Sequence, residues 1–95
     1  MKFEWDPKKA AANLDKHRVS FEEASTVFGD PFAATVPDPV HSNELRFITM
    51  GRGESGSLLV VVHADRGDRV RLISARVATP AERRRYDVKS PHGKR

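Results

Sequence analysis

The stretch from Arg69 to Tyr86 (RVRLISARVATPAERRRY) constrains the fold of this chain more than any other. Its first half, residues 70–77, is rich in β-branched and aliphatic side chains, which is typical of a β-strand. Because side chains alternate along a strand, Ser74 and Arg76 are expected on the same sheet face as Leu72. The pattern therefore predicts a strand with a cationic side chain near its end.

A helix start follows this strand directly. Thr79 can cap the first turn and Glu82 can complete a capping box with it. Pro80 fits the first helical position, because no N–H donor is needed there. The same stretch carries six arginines beside the only tyrosine of the chain. The arginines are Arg69, Arg71, Arg76, Arg83, Arg84 and Arg85.

The composition predicts one small cytoplasmic domain. A chain of 95 residues has room for a single hydrophobic core, which we expect in residues 1–87, with residues 88–95 as a frayed polar tail. The absence of cysteine excludes disulfides and thiol catalysis and fits a reducing compartment. No apolar run approaches the roughly 20 residues of a membrane span. The formal charge of +4 favours a polyanionic partner, either a nucleic acid or an acidic protein.

The N-terminal part predicts a strand and a first helix. Residues 2–5 alternate polar and apolar side chains, and Asp6 can cap a helix that runs from about Pro7 to His17. Few apolar residues are available for its buried side. They are Ala10, Ala11 and Leu14. Arg18 follows at a position where a left-handed backbone, and therefore glycine, is common.

A second helix is indicated immediately afterwards. Ser20 and Glu23 have the spacing of a capping box, and Gly29 can end the helix. Apolar residues at helical spacing give this helix a buried stripe. The stripe consists of Phe21, Ala24, Val27 and Phe28.

The remaining chain predicts an antiparallel sheet. The three prolines in residues 30–40 restrict any strand there to a sheet edge, whereas residues 45–52 alternate well. Glycines in 51–56 mark a hairpin loop, and residues 57–63 form the most hydrophobic run, expected as a central strand. A second turn is expected at residues 65–68. The order predicts an α+β fold of two layers: β-α-α, an antiparallel meander, and a C-terminal helix.

Several of these motifs together resemble the BrnT toxin family, over about residues 2–86. They are Glu4-Trp5-Asp6-Pro7, Lys16-His17, Phe21-Glu22-Glu23-Ala24, Asp30-Pro31, Arg46, Arg71-Leu72-Ile73-Ser74-Ala75-Arg76, and Glu82-Arg83 with Tyr86. One departure is Arg18, because such sequences commonly have glycine after the histidine.

This resemblance implies a RelE-like fold and a ribonuclease toxin of a type II toxin–antitoxin pair. It also implies a BrnA-like antitoxin with a ribbon-helix-helix DNA-binding part. Promoter DNA would then be bound only through the toxin–antitoxin complex.

Cleavage of RNA needs a base for the 2′-hydroxyl, donors for the phosphorane charge and an acid for the leaving 5′-oxygen. Arginine offers planar donors to phosphate oxygens, and Arg76 and Arg46 are the candidates on the predicted sheet. Arg76 could instead pair with Glu82 and hold the last helix. Glu82 is expected to serve the capping box rather than to act as general base.

His63 and Tyr86 are the other catalytic candidates. His63 is expected to end the central strand beside a turn, where its imidazole could act as acid or base. Tyr86 lies one helical turn from Glu82 and Arg83, on one helix face. RelE-like nucleases can use a tyrosine near the C-terminus, so the resemblance implies a role in RNA stacking or proton transfer. The alternatives are a structural histidine and a core tyrosine with a hydrogen-bonded hydroxyl.

Further candidate RNA contacts lie on two helices. They are Arg83 on the last helix, and Lys16 and His17 at the end of the first. Stabilisation of the helix dipole explains His17 equally well.

No histidine or carboxylate spacing matches a metal motif, so we expect a metal-independent endoribonuclease without a cofactor. Two other functions remain open: a non-catalytic nucleic-acid-binding module that uses residues 69–85 on phosphates, and a subunit that only docks an acidic antitoxin.

Overall fold

The computed structural model describes residues 1–40 and 45–89 of the chain. Its strands are β1 (Lys2–Glu4), β2 (Ala34–Pro37), β3 (Arg46–Arg52), β4 (Leu58–Arg66) and β5 (Arg69–Val77). Its helices are α1 (Pro7–His17), α2 (Phe21–Ser25), which continues into a 3₁₀ turn (Thr26–Gly29), and α3 (Pro80–Lys89). The predicted boundary at residue 87 falls inside α3, and residues 90–95 of the predicted tail lie outside the described residues.

The described strands form one sheet in the order β1-β5-β4-β3-β2. The pairs from β2 to β5 are antiparallel, whereas β1 pairs with β5 in parallel. The predicted α+β class and the predicted meander are confirmed, and β2 is the short edge strand expected from its prolines. The assignment to the RelE-like folds stays a prediction. None of the described helices has the length and apolar character needed to cross a membrane.

The hydrophobic core lies between the sheet and the first two helices. Phe21 and Val27 are fully buried against Val61 and Leu72 of the sheet. Burying a side chain such as Phe21 contributes about 2–3 kcal/mol. We call this side of the sheet the helix face. The opposite side, which carries Met50 and is partly covered by α3, is called the open face.

Asn13 is the buried residue of α1. Its side-chain oxygen accepts from the Ala75 N–H at 3.0 Å, and its amide group donates to the Ala75 carbonyl at 2.9 Å. The same amide donates to the Val19 carbonyl at 2.9 Å. The side chain therefore bonds to β5 as a neighbouring strand would, beyond the end of the short β1, and ties α1 and the following turn to the sheet.

The predicted apolar side of α1 is partly wrong. Ala10 packs against the core, but Ala11 is exposed and the side chain of Leu14 is 47% exposed. The predicted helix bounds and the Asp6 cap are confirmed. Arg18 ends the helix with φ 60°, the left-handed conformation that the sequence indicated.

The capping box predicted for α2 is formed in one direction. The Ser20 hydroxyl accepts from the Glu23 N–H at 3.0 Å. The Glu23 carboxylate instead accepts from the backbone N–H and the hydroxyl of Ser55 at 2.9 and 2.6 Å, in the β3–β4 loop. Glu23 therefore joins α2 to the sheet, because the loop offers donors that local sequence does not reveal.

The pairing of β4 with β5 contains a β-bulge. Val62 lies opposite Ser74 and His63 lies opposite Leu72, so Ile73 is one extra residue in β5. Such a residue reverses the alternation of the strand.

The bulge changes which side chains share a face. Leu72 and Ala75 are both buried on the helix face, whereas Arg76 lies opposite Val60, on the open face. The prediction that Ser74 and Arg76 share the face of Leu72 is therefore wrong, because strict alternation applies only to a regular strand. The bulge brings Arg76 to the face on which α3 lies.

Candidate active site on the open sheet face

Strand register places a set of cationic side chains on the open face. Residues that lie opposite each other in neighbouring strands share a face, and alternate residues along a regular strand do the same. The set consists of Lys2, Arg46, Arg52, Arg66, Arg69, Arg71 and Arg76. Glu4 lies among them, with its carboxylate 3.1 Å from Arg71 and 3.6 Å from Arg69. Positive charge exceeds negative charge on these strands, which suits a polyanion.

Arg76 forms a bidentate ion pair with Glu82. Its Nη1 donates to Oε1 at 2.8 Å and its Nη2 donates to Oε2 at 2.9 Å. The Arg76 side chain is 41% exposed and that of Glu82 is 23% exposed. The hydrogen bond from Arg76 lowers the pKa of Glu82 to about 2, and the same bond raises the pKa of Arg76. Glu82 is therefore ionised at neutral pH and is a weak proton acceptor.

The predicted capping box at α3 is confirmed in both directions. The Glu82 N–H donates to the Thr79 hydroxyl at 3.2 Å, and the Thr79 N–H donates to Glu82 Oε1 at 2.8 Å. Pro80 is the first residue of the helix, as expected. One carboxylate thus starts the helix and holds Arg76 of the preceding strand.

Tyr86 is the buried residue among the described side chains of α3, at 4% exposure. Its hydroxyl donates to Asp30 Oδ2 at 2.6 Å, and the Arg52 guanidinium lies 5.4 Å from its ring centre. Asp30 also accepts from the Arg52 N–H at 2.8 Å and from the Phe32 N–H at 2.9 Å. Tyr86 has the hydrogen-bonded, anchoring environment that was the structural alternative for this residue.

An apolar groove of about 520 Å³ separates α3 from strands β2 to β4. Its lining comprises Phe32, Ala34, Val36, Ile48, Met50, Val60, Glu82, Arg85, Tyr86 and Val88. Arg83 is exposed and does not line the groove, although the sequence placed it on one face with Glu82 and Tyr86. Arg85 lines the groove instead of Arg83, because successive helical residues are turned by about 100° around the helix axis.

Arg46 begins β3 and lies opposite Ala64. It alternates with Ile48, which lines the groove, so its side chain belongs to the open face. Two strand spacings and four residues of β4 separate it from Arg76, which gives roughly 16 Å between the two Cα atoms. The two guanidinium groups therefore occupy different parts of the same surface.

The expected position of His63 is wrong. β4 continues to Arg66, so His63 lies inside the strand and not beside the turn, which consists of Gly67 and Asp68. The side chain is 5% exposed, on the helix face. Its imidazole stacks on Phe47, with 5.9 Å between ring centres.

His63 belongs to a buried polar chain. Its Nε2 lies 2.7 Å from the Thr49 hydroxyl, which lies 2.7 Å from the Thr35 hydroxyl. Nδ1 has no hydrogen-bond partner among residues 1–40 and 45–89. Burial lowers the pKa of His63, partly opposed by Asp65. The sheet therefore separates this imidazole from Arg76 and Arg46.

Lys16 and His17 also lie in the helix layer. They end α1, which packs against the core on the helix face. Lys16 is exposed and His17 is partly exposed. The fold does not bring these two predicted RNA contacts onto the surface that carries Arg76.

Sequence reasoning missed two residues that support this surface, Asp30 and Arg52. The sequence shows Asp30 only as part of the Asp-Pro motif, and Arg52 only as the end of a strand. An aspartate directly before proline is a common turn residue, and this local signal hides its bond to Tyr86. Among the described residues, no group of three or more His, Cys, Asp or Glu side chains could hold a metal ion.

Comparisons with known proteins agree with this architecture. The crystal structure of the ribonuclease toxin BrnT from Brucella abortus superposes with a TM-score of 0.62 at 22% sequence identity. The match covers 83% of this chain and 97% of that chain, and at this identity it shows a shared fold. A search of curated proteins found no match.

The family model described as "Ribonuclease toxin, BrnT, of type II toxin-antitoxin system" matches residues 5–82. The match includes α1, the whole sheet from β2 to β5, and the Arg76–Glu82 pair. It ends before Tyr86, so the contact with Asp30 is an observation on this chain. The chain belongs to the BrnT family of ribonuclease toxins of type II toxin–antitoxin systems.

Proposed function

We propose that this chain is a metal-independent endoribonuclease that binds RNA on the open face of its sheet, cleaves it by attack of the 2′-hydroxyl and thereby inhibits translation. The observation that carries this proposal is Arg76, a partly exposed arginine held by Glu82 on a surface rich in cations. A guanidinium can donate two parallel hydrogen bonds to the phosphate oxygens on which charge develops.

Arg76 is the proposed ligand of the scissile phosphate. The 2′-oxygen forms a bond to phosphorus while the bond from phosphorus to the 5′-oxygen breaks. The 2′-hydroxyl gives its proton to solvent water and the leaving 5′-oxygen takes one from solvent water. The phosphorane between the two oxygens carries additional negative charge. A donor fixed in place before the reaction stabilises that charge without reorganisation. Arg46, roughly 16 Å away by Cα position, is proposed to hold a neighbouring part of the same RNA strand.

The other residues predicted to contact RNA or to act in catalysis differ in their positions relative to the open face. Arg83 is exposed on α3 and can contribute to RNA binding at the margin of the open face. Lys16 and His17 would need RNA that reaches around the domain to the helix layer. We leave His63 outside the proposed site, because its imidazole is buried on the helix face and bonded to Thr49. Tyr86 is assigned to holding α3, since its hydroxyl is bonded to Asp30.

Substitution of Arg76 tests the proposal. Arg76→Ala should abolish cleavage of RNA and growth arrest, while the fold and antitoxin binding persist. Lys8→Ala is the matched control, because it removes one exposed positive charge from α1. Cleavage should continue in excess EDTA. Activity that requires an added divalent cation would contradict metal independence, and intact RNA under all metal and ribosome conditions would contradict the nuclease function.

Release of a cleavage product separates the nuclease from a module that only binds nucleic acid, whereas salt dependence is common to both. Both should lose RNA affinity as salt rises. On single strands, the logarithm of the binding constant should fall with the logarithm of the salt concentration, with a slope of about 0.7 per phosphate contact. Only the nuclease also releases shortened RNA with new ends. Binding without product would favour the module.

As a type II toxin, the protein has an antitoxin partner. We propose that this partner is a BrnA-like protein with a ribbon-helix-helix part, through which the complex binds promoter DNA. We further propose that it neutralises the toxin by covering the open face. Finding a neighbouring gene that encodes a ribbon-helix-helix protein would support the proposed identity of the partner. A purified complex that still binds RNA at Arg76 would contradict the second.

A further inference from the structure

We propose that Glu82 is a positioning residue for RNA cleavage: it holds one edge of the Arg76 guanidinium and presents the other edge to the scissile phosphate. This inference rests on the proposed function, because it needs Arg76 to bind phosphate.

The hydrogen bonds of Arg76 leave one edge of its guanidinium available. The group has five N–H donors in a fixed plane. Nη1 donates one hydrogen bond to Glu82 Oε1 and one, at 3.3 Å, to the Val77 carbonyl. Nη2 donates one hydrogen bond to Glu82 Oε2. The remaining donors are Nε–H and the second N–H of Nη2, which lie side by side and have no partner among the described residues.

That remaining pair matches the geometry of a phosphate. Two parallel N–H groups on one edge of a guanidinium can contact two oxygens of one phosphate. Glu82 occupies the end of the group and the phosphate would occupy its side. The carboxylate therefore need not be displaced when RNA binds, which distinguishes a positioning contact from an inhibitory one.

Glu82 is itself held firmly. Oε1 accepts from both Arg76 and the Thr79 N–H, and the backbone N–H of Glu82 donates to the Thr79 hydroxyl. One turn later, Tyr86 fixes the same helix to Asp30. An arginine without such a partner would have to lose more side-chain entropy when it binds phosphate.

The charge of Glu82 and its orienting effect act in opposite directions. Its negative charge weakens the attraction of Arg76 for RNA in the ground state, whereas the fixed orientation helps the transition state. Glu82→Gln should therefore lower kcat without weakening RNA binding. If Glu82 were purely structural, the substitution would lower both the apparent kcat and the apparent RNA affinity, because a smaller fraction of the molecules would be folded.

The experiment uses the full chain, purified from its co-expressed antitoxin. Single-turnover kcat is measured on a short RNA, and Kd on the same RNA with a 2′-deoxy group at the cleavage position. For Glu82→Gln we expect kcat to fall about 10- to 100-fold, with Kd unchanged or lower. Ser20→Ala is the matched control: it removes the cap of α2, on the opposite side of the sheet, and should leave kcat unchanged.

A double substitution connects the two residues. In an Arg76→Lys background, which keeps the positive charge but not the planar guanidinium, Glu82→Gln should have no further effect on kcat, because its role acts through the guanidinium of Arg76. An additional loss of kcat in that background would overturn the positioning role.

The outcomes separate this inference from the proposed function. If Arg76→Ala retains cleavage, the proposed function of Arg76 fails. If Arg76→Ala abolishes cleavage but Glu82→Gln behaves as Ser20→Ala does, only the positioning role fails. A rise in kcat for Glu82→Gln would show an inhibitory contact and would also overturn it, as would a parallel loss of kcat, affinity and folded fraction.

Discussion

The hydroxyl of Tyr86 donates a 2.6 Å hydrogen bond to Asp30, and this bond joins the last helix to the turn before the edge strand. Burial raises the pKa of Asp30, but hydrogen bonds from the Arg52 N–H and from Tyr86 outweigh that effect, so its pKa lies below the ordinary value. The carboxylate is therefore ionised when it accepts the bond. The position of α3 over the open face depends on this contact and on the Arg76–Glu82 pair.

Tyr86→Phe should destabilise the protein without removing catalysis. The substitution keeps the buried ring and deletes one hydrogen bond to a charged acceptor, so the free energy of unfolding should fall by about 1–2 kcal/mol. Urea denaturation measures this loss, and RNA cleavage by the folded fraction should persist. Loss of cleavage at unchanged stability would instead place the tyrosine hydroxyl in the chemistry.

Asn13→Ala should be far more destabilising than Leu14→Ala. The first change leaves both backbone groups of Ala75 and the Val19 carbonyl without their side-chain partner, for a loss of about 2–4 kcal/mol. Leu14 is half exposed, so its truncation should cost less than about 1 kcal/mol. Denaturant unfolding of the two variants gives the comparison, and equal losses would contradict the role of Asn13 at the edge of β5.

The stability of the protein should fall as the pH drops below about 6.5 because of His63. Burial lowers the pKa of His63 in the folded state, so below the unfolded-state value of 6.5 the unfolded chain binds the proton first. The contribution of neutral His63 to the free energy of unfolding is therefore fully present above pH 6.5. It is lost as the pH falls from 6.5 through the lower pKa of the folded state. His63→Gln should flatten this slope in denaturant titrations between pH 7 and 5. An unchanged slope in His63→Gln would contradict this assignment.

Glu82→Gln should lower stability at neutral pH and flatten a second, more acidic transition. The pKa of Glu82 is about 2 in the folded state and 4.5 in the reference state, so its contribution is complete above 4.5 and is lost as the pH falls towards 2. Because the Arg76 side chain is 41% exposed, solvent screening reduces the contribution to about 1–2 kcal/mol. Thermal unfolding of wild type and variant at pH 7 and pH 3 measures it. An equal difference at both pH values would contradict the assignment.

Local sequence determined the starts of the helices. Asp6, Ser20 and Thr79 each cap a helix, and each accepts from a backbone N–H two or three residues further on. Such contacts depend on neighbours in the chain and are therefore readable from it. The left-handed Arg18 and the edge position of β2 follow from equally local constraints.

Tertiary structure decided which side chains meet at the candidate site. The bulge at Ile73 moved Arg76 to the open face, and the continuation of β4 left His63 buried on the other side. The bond between Tyr86 and Asp30 joins residues far apart in sequence. Caps and turns are set by contacts within a few residues, whereas the face of a strand residue depends on the register of its partner strand. For that reason the sequence alone predicted the elements and the basic character of this toxin, and only the packed sheet determined which arginine lies beside α3 and which histidine cannot reach it.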